Sequence, residues 1–73
     1  MTAEAEQLLR KVRDVSQRIA DAEQLLARLR AQRVEHFAAL RNLAPPVEHR
    51  VIGDAAGLTD VGVIAALRRR STD

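Results

Sequence analysis

The residues of this chain best suited to chemistry are Arg50 and the run Arg68, Arg69 and Arg70, which suit either the holding of phosphate or, for the run, a solvated helix end where the dipole favours positive charge. A guanidinium presents its donors in a planar fork that meets phosphate oxygens two at a time. The other reactive types are too few or too scattered for catalysis. There is no Cys, which removes thiolate nucleophiles, disulfides and thiolate metal sites together. Ser16 falls on an exposed helix face and Ser71 near the C-terminal end. His36 and His49 are separated by Pro45 and Pro46 and share no ligand spacing with carboxylates. Asp54 and Asp60 flank a turn, where capping and solvation account for them. Gly53, Gly57 and Gly62 lie within or between helices rather than after a strand, so they form no phosphate-cradling loop. The expectation is a protein that is not an enzyme, with no catalytic residue, metal site or cofactor.

The elements that must position these arginines are helical. From Thr2 to Leu43 the chain has no Gly or Pro and is rich in Ala, Leu, Arg, Glu and Gln, all strong helix formers. Such a helix would be roughly 60 Å long, about twice the width of a small domain. Its apolar residues recur at alternating steps of three and four: Ala5, Leu8, Val12, Val15, Ile19, Ala22, Leu26 and Leu29. With Ala5 at a, they fill a and d through four heptads, the signature of a coiled-coil seam. Arg33 at a and His36 at d then interrupt it, and Val34, Phe37 and Leu40 offer a different apolar face. Residues 1–33 are therefore expected to be an oligomerisation helix. Residues 34–43 are expected to be the end of the same helix, turned inward to support a C-terminal head.

The seam points to a homodimer. Val12 and Ile19 at a, with Leu8 and Leu29 at d, lean towards a parallel two-stranded coil. Arg18 at g and Glu23 at the following e can pair across it, although exposed pairs contribute little. An antiparallel coil would set Arg33 away from its own copy, so the strand orientation stays open. So does a bundle with further subunits or with a different protein.

Length and charge narrow the classes further. A chain of 73 residues makes one domain, and one this small needs a stabiliser. Without Cys, oligomerisation is the one that remains. Phe37 is the only aromatic residue, which excludes a stacking platform for single-stranded nucleic acid. The formal net charge is +2. Met1 to Ala44 holds eight Arg or Lys against six Asp or Glu, and Pro45 to Asp73 holds four of each. The basic excess is on the rod, and the head is neutral. No apolar run approaches a membrane span, no signal peptide opens the chain, and the rod's polar face mixes both charge signs. A soluble cytoplasmic protein without a membrane partner is expected.

After the long helix, Pro45 and Pro46 enforce a stop. Two shorter helices follow, over 46–56 and 59–70. Gly57 supplies the left-handed residue that ends the first. Thr59 caps the second, with Leu58 and Val63 placed as a hydrophobic staple across the cap.

The stretch from His49 to Arg68 (HRVIGDAAGLTDVGVIAALR) resembles the helix-turn-helix of small bacterial and phage DNA-binding regulators. That motif has a small residue where its helices cross closely, matched by Gly53, and Gly then an apolar residue at the turn, matched by Gly57 and Leu58. Ile52, Ala56, Val63 and Ala66 match its inward apolar positions. The resemblance implies an all-α fold in which residues 34–73 form a small three-helix head on the coiled-coil rod. It also implies that the last helix enters the DNA major groove by its N-terminal residues. Thr59, Asp60, Val61 and Ile64 would then face bases, beside Gly62 and Ala65, while Arg50, Arg68, Arg69 and Arg70 hold phosphates. The chain departs from the pattern in one respect. No Arg, Lys, Asn or Gln, the usual base readers, lies between Thr59 and Leu67. Thr59 can bond a base or a phosphate, and Val61 or Ile64 can touch a thymine methyl. Asp60 opposes phosphate unless it accepts from a cytosine amino group. The expected function is a small dimeric regulator of transcription that binds double-stranded DNA. The alternative is an adaptor whose Val61, Ile64 and Ala65 form an apolar patch for a protein partner.

Overall fold

The computed structural model describes residues 2–72, apart from the Thr72 side chain, as three α-helices: α1 (Ala3–Arg41), α2 (His49–Ala56) and α3 (Asp60–Thr72). Met1 and Asp73, the outermost residues of the two expected segments, lie outside the described residues. α1 begins where Thr2 holds an extended backbone and its hydroxyl accepts from the Ala5 amide at 3.1 Å. Glu4 and Glu6 then lie in the first turn, where the helix dipole favours negative charge.

α1 is a rod for most of its length. Every residue from Glu6 to Gln32 is exposed. The molecule measures 66 × 23 × 15 Å, with a radius of gyration of 19.4 Å, against about 11 Å for a compact chain of this length. The head is gathered at the C-terminal end of the rod. Phe37 from α1, Ile52 from α2 and Val63 and Ala66 from α3 are buried together. Val34, Leu40, Val47, Ala56, Leu58 and Leu67 pack around them. Each helix is too short or too exposed to stand alone, and this shared cluster makes them one unit.

Several element boundaries differ from the sequence reading. α1 ends at Arg41 rather than Leu43, and α2 begins at His49 rather than Pro46. The connecting segment folds back on α1 instead of starting a helix. The Val47 amide donates to the Leu40 carbonyl at 3.1 Å, and Arg41 Nη1 donates to the Val47 carbonyl at 2.9 Å. Those two bonds hold Val47 against the end of α1, and Glu48 takes the extended N-cap position of α2. α3 also runs on to Thr72, past the expected Arg70, and the Ser71 hydroxyl donates to the Leu67 carbonyl at 3.1 Å.

The turn between α2 and α3 follows the residues that predict it. Gly57 sits at φ 71°, in the left-handed region, and its amide donates to the Gly53 carbonyl. The Leu58 amide reaches the same carbonyl at 2.8 Å, which completes a Schellman-type closure. The Thr59 hydroxyl accepts from the Gly62 amide at 3.1 Å and caps α3. Gly53 is buried where the turn crosses α2, and a Cβ there would lie 2.6 Å from the Leu58 carbonyl oxygen. Only a residue without a side chain fits this approach unchanged.

Candidate nucleic-acid interface

α3 carries most of the residues expected to meet DNA, and its packing sorts them by face. Val63 and Ala66 point into the core. On the opposite side Val61, Ala65 and Arg68, spaced by four and then three, form one exposed stripe. Val61 is 70% exposed, the highest value among the large apolar residues left in solvent. Thr59 and Asp60 open the stripe at the N-terminus of the helix, both exposed. Asp60 Oδ1 accepts from the Val61 amide at 2.9 Å, so its charge is placed at the positive end of the helix dipole. The Thr59 hydroxyl accepts from Gly62 and retains its own proton for donation.

Ile64 is not on this stripe. It is half-buried and lines a shallow depression with His49, Leu67, Arg68 and Ser71, between α3 and the start of α2. Its place in the helix, directly after the buried Val63, explains the difference from the sequence reading: Ile64 faces the flank towards α2. On the outward stripe of α3 the apolar residues are therefore Val61 and Ala65. Arg50 lies exposed in the first turn of α2.

The three consecutive arginines part company. Arg68 stays on the exposed stripe of α3. Arg70 turns back to the rod, where its Nε and Nη2 donate to the two carboxylate oxygens of Glu35 at 2.6 and 2.9 Å. This fork clamps the end of α3 to α1. The hydrogen bond from Arg70, reinforced by its charge, holds the Glu35 carboxyl below its ordinary 4.5 against an opposing desolvation. The same bond raises Arg70. Arg69 lies beside Arg70 on the wall of a groove between α1 and α3, with Arg30, Arg33 and Glu35 on the facing wall.

Arg33, which interrupts the a and d pattern of α1, lines this groove. It is half-buried, and its guanidinium carbon sits 5.7 Å from the Phe37 ring centroid, in range of a cation–π attraction. Sequence spacing places Arg33 at an a position but carries no information about this neighbour. The basic groove and the Glu35–Arg70 clamp were likewise invisible in the sequence, because their halves are distant along the chain. Among the described residues no group of His, Cys, Asp and Glu is arranged to hold a metal ion, and no helix is long and apolar enough to cross a membrane.

The rod contributes the second surface. Leu8, Val12, Val15, Ile19, Leu26 and Leu29 are between 45% and 60% exposed, and Ala22 is exposed beside them. They lie along one side of a single helix, away from the head. No protein-family model, curated protein or solved structure matches the chain, so its function must be read from its own residues.

Proposed function

We propose that this chain is a small two-headed DNA-binding regulator. α1 pairs with α1 of a second copy through Leu8, Val12, Val15, Ile19, Ala22, Leu26 and Leu29, and each head is a helix-turn-helix that sets α3 into the major groove of double-stranded DNA. The observation that carries this reading is the close crossing at Gly53, where an added Cβ would meet the Leu58 carbonyl oxygen at 2.6 Å. With the left-handed Gly57 and the Thr59 cap, that crossing fixes α3 at a set angle and leaves its Val61, Ala65 and Arg68 face uncovered.

In this mechanism phosphate contacts fix the register and carry most of the affinity. Arg50 and Arg68 supply them, with Arg69 from the neighbouring flank. Arg70 is held by Glu35 and acts as a clamp between head and rod. Thr59 donates to a base edge or a phosphate, and the methyl groups of Val61 and Ala65 meet thymine methyls. A reader of this kind lacks bidentate base pairs, so its selectivity rests on apolar contacts and DNA shape. Pairing two heads adds a second half-site and restores part of that selectivity.

A second reading has its own observation. Val61 at 70% exposure on a neutral head also suits an adaptor that docks on a protein through Val61 and Ala65. The two readings separate under salt. With Arg50→Ala and Arg68→Ala together, DNA affinity should fall. The slope of log affinity against log salt should also flatten, by about one for each phosphate that is no longer neutralised. An unchanged affinity and slope would remove the phosphate assignment and favour the adaptor.

A further inference from the structure

The apolar stripe of α1 stays exposed along its whole length, and the groups around it discriminate between the two ways a second copy can lie on it. Leu8, Val15, Ala22 and Leu29 take d, and Val12, Ile19 and Leu26 take a. In a parallel in-register pair, each g position faces the e position five residues on in the other chain. Arg18 then faces Glu23 twice, once on each side of the axis, and no like charges meet at e and g. In an antiparallel pair with full overlap, Leu8 lies opposite Leu26, and g positions face g positions. Arg18 then meets Arg18. Within its own chain Arg18 bonds Asp14 through one terminal nitrogen at 3.1 Å, with both side chains largely in solvent. That contact leaves the guanidinium able to turn to a partner.

Arg33 at an a position would favour an antiparallel pair, because in a parallel coil it would meet its own copy. The structure removes that objection. Arg33 is folded over Phe37 in its own head, so the seam ends at Leu29. The head itself docks on Val34, Phe37, Leu40 and Arg41, all beyond Leu29, and leaves the a and d line up to Leu29 open.

We infer that the occupant of the α1 stripe is a second copy of this chain, parallel and in register, so that both heads project from the same end of one rod. This rests on the dimer reading above and adds its geometry. The heads then stand side by side, as a two-fold-symmetric DNA site requires.

The chain has no Cys, so introduced thiols report orientation without background. Leu8→Cys and Leu26→Cys are prepared separately, and the full-length variants are oxidised alone and after being unfolded and refolded together. Sedimentation of the unsubstituted chain accompanies them. The expected result is a dimer mass, a disulfide dimer from each variant alone, and only like-with-like disulfides in the mixture. In a parallel pair residues 8 and 26 stand about 27 Å apart along the rod, too far for a bond. A mixed disulfide between positions 8 and 26 would overturn the parallel orientation while leaving the dimer intact. A monomer or a larger assembly by sedimentation would overturn the dimer reading and this inference with it. Glu23→Arg supplies a readout that does not depend on Cys. In a parallel pair it should weaken association on the order of tenfold at low salt, and adding Arg18→Glu should restore it. No weakening would also count against the parallel pair.

Discussion

At Gly53 the absence of a single carbon decides how α2 meets the turn. Alanine in a helix is favoured over glycine by about 1 kcal/mol, but its Cβ would fall 2.6 Å from a backbone oxygen that has no rotamer to yield. Gly53→Val adds two more carbons to that clash and should destabilise the head by about 3 kcal/mol. The loss should appear as faster amide exchange in α2 and α3, and unchanged protection would mean that the crossing is not tight. Glu35 makes a second prediction, about pH. Its carboxyl is held below the ordinary 4.5 by Arg70, so the pair stabilises the fold above the ordinary carboxylate range and is lost as pH falls through the depressed value. Glu35→Gln should therefore lower the melting temperature slightly at neutral pH, and the difference from the parent should vanish in acid. A difference that persisted in acid would mean that Glu35 acts by packing instead. Gly53, Gly57 and Thr59 were legible in the sequence because their roles are local to one turn. The Glu35–Arg70 pair was not, because its partners are 35 residues apart and only the folded head brings them together.

Among the elements, α1 has two parts, and the periodicity of its apolar residues separates them. The a and d positions to Leu29 form the exposed stripe, while Phe37, one position off that register, is 4% exposed and forms α1's part of the head core. Phe37→Ala should cost about 3–5 kcal/mol of head stability and leave α1 pairing through its first four heptads. Loss of α2 and α3 protection without loss of association would be read by hydrogen exchange beside sedimentation. Simultaneous loss of both would mean that rod and head are one cooperative unit. The rod was readable because it lacks Gly and Pro and its apolar residues repeat with a helical period. The heptad count sets Arg33 at an a position that interrupts the stripe, but it tracks only rotation about the helix axis and gives no sign of the Phe37 ring beside it. The start of α2 was misread for a related reason: a proline fits a first helical turn, and only the bonds from Val47 to Leu40 and from Arg41 to Val47 keep the helix from beginning there.

For the whole molecule, the outline itself argues for an assembly. The rod leaves a helical stripe of Leu, Val and Ile in water over about half of a 66 Å molecule, and in the proposed dimer the distance between the two heads is set by how the rods pair. On the proposed function, a single neutral head would hold DNA weakly, and two heads on one duplex would strengthen the hold through effective concentration. DNA reading by the proposed pair of heads is checked by mixing the full-length protein with fragmented genomic DNA at low and near-physiological salt and sequencing what is retained. The expected result is enrichment of a two-fold-symmetric site that survives the higher salt. Retention at neither salt, or retention only at low salt with no shared site, would contradict it.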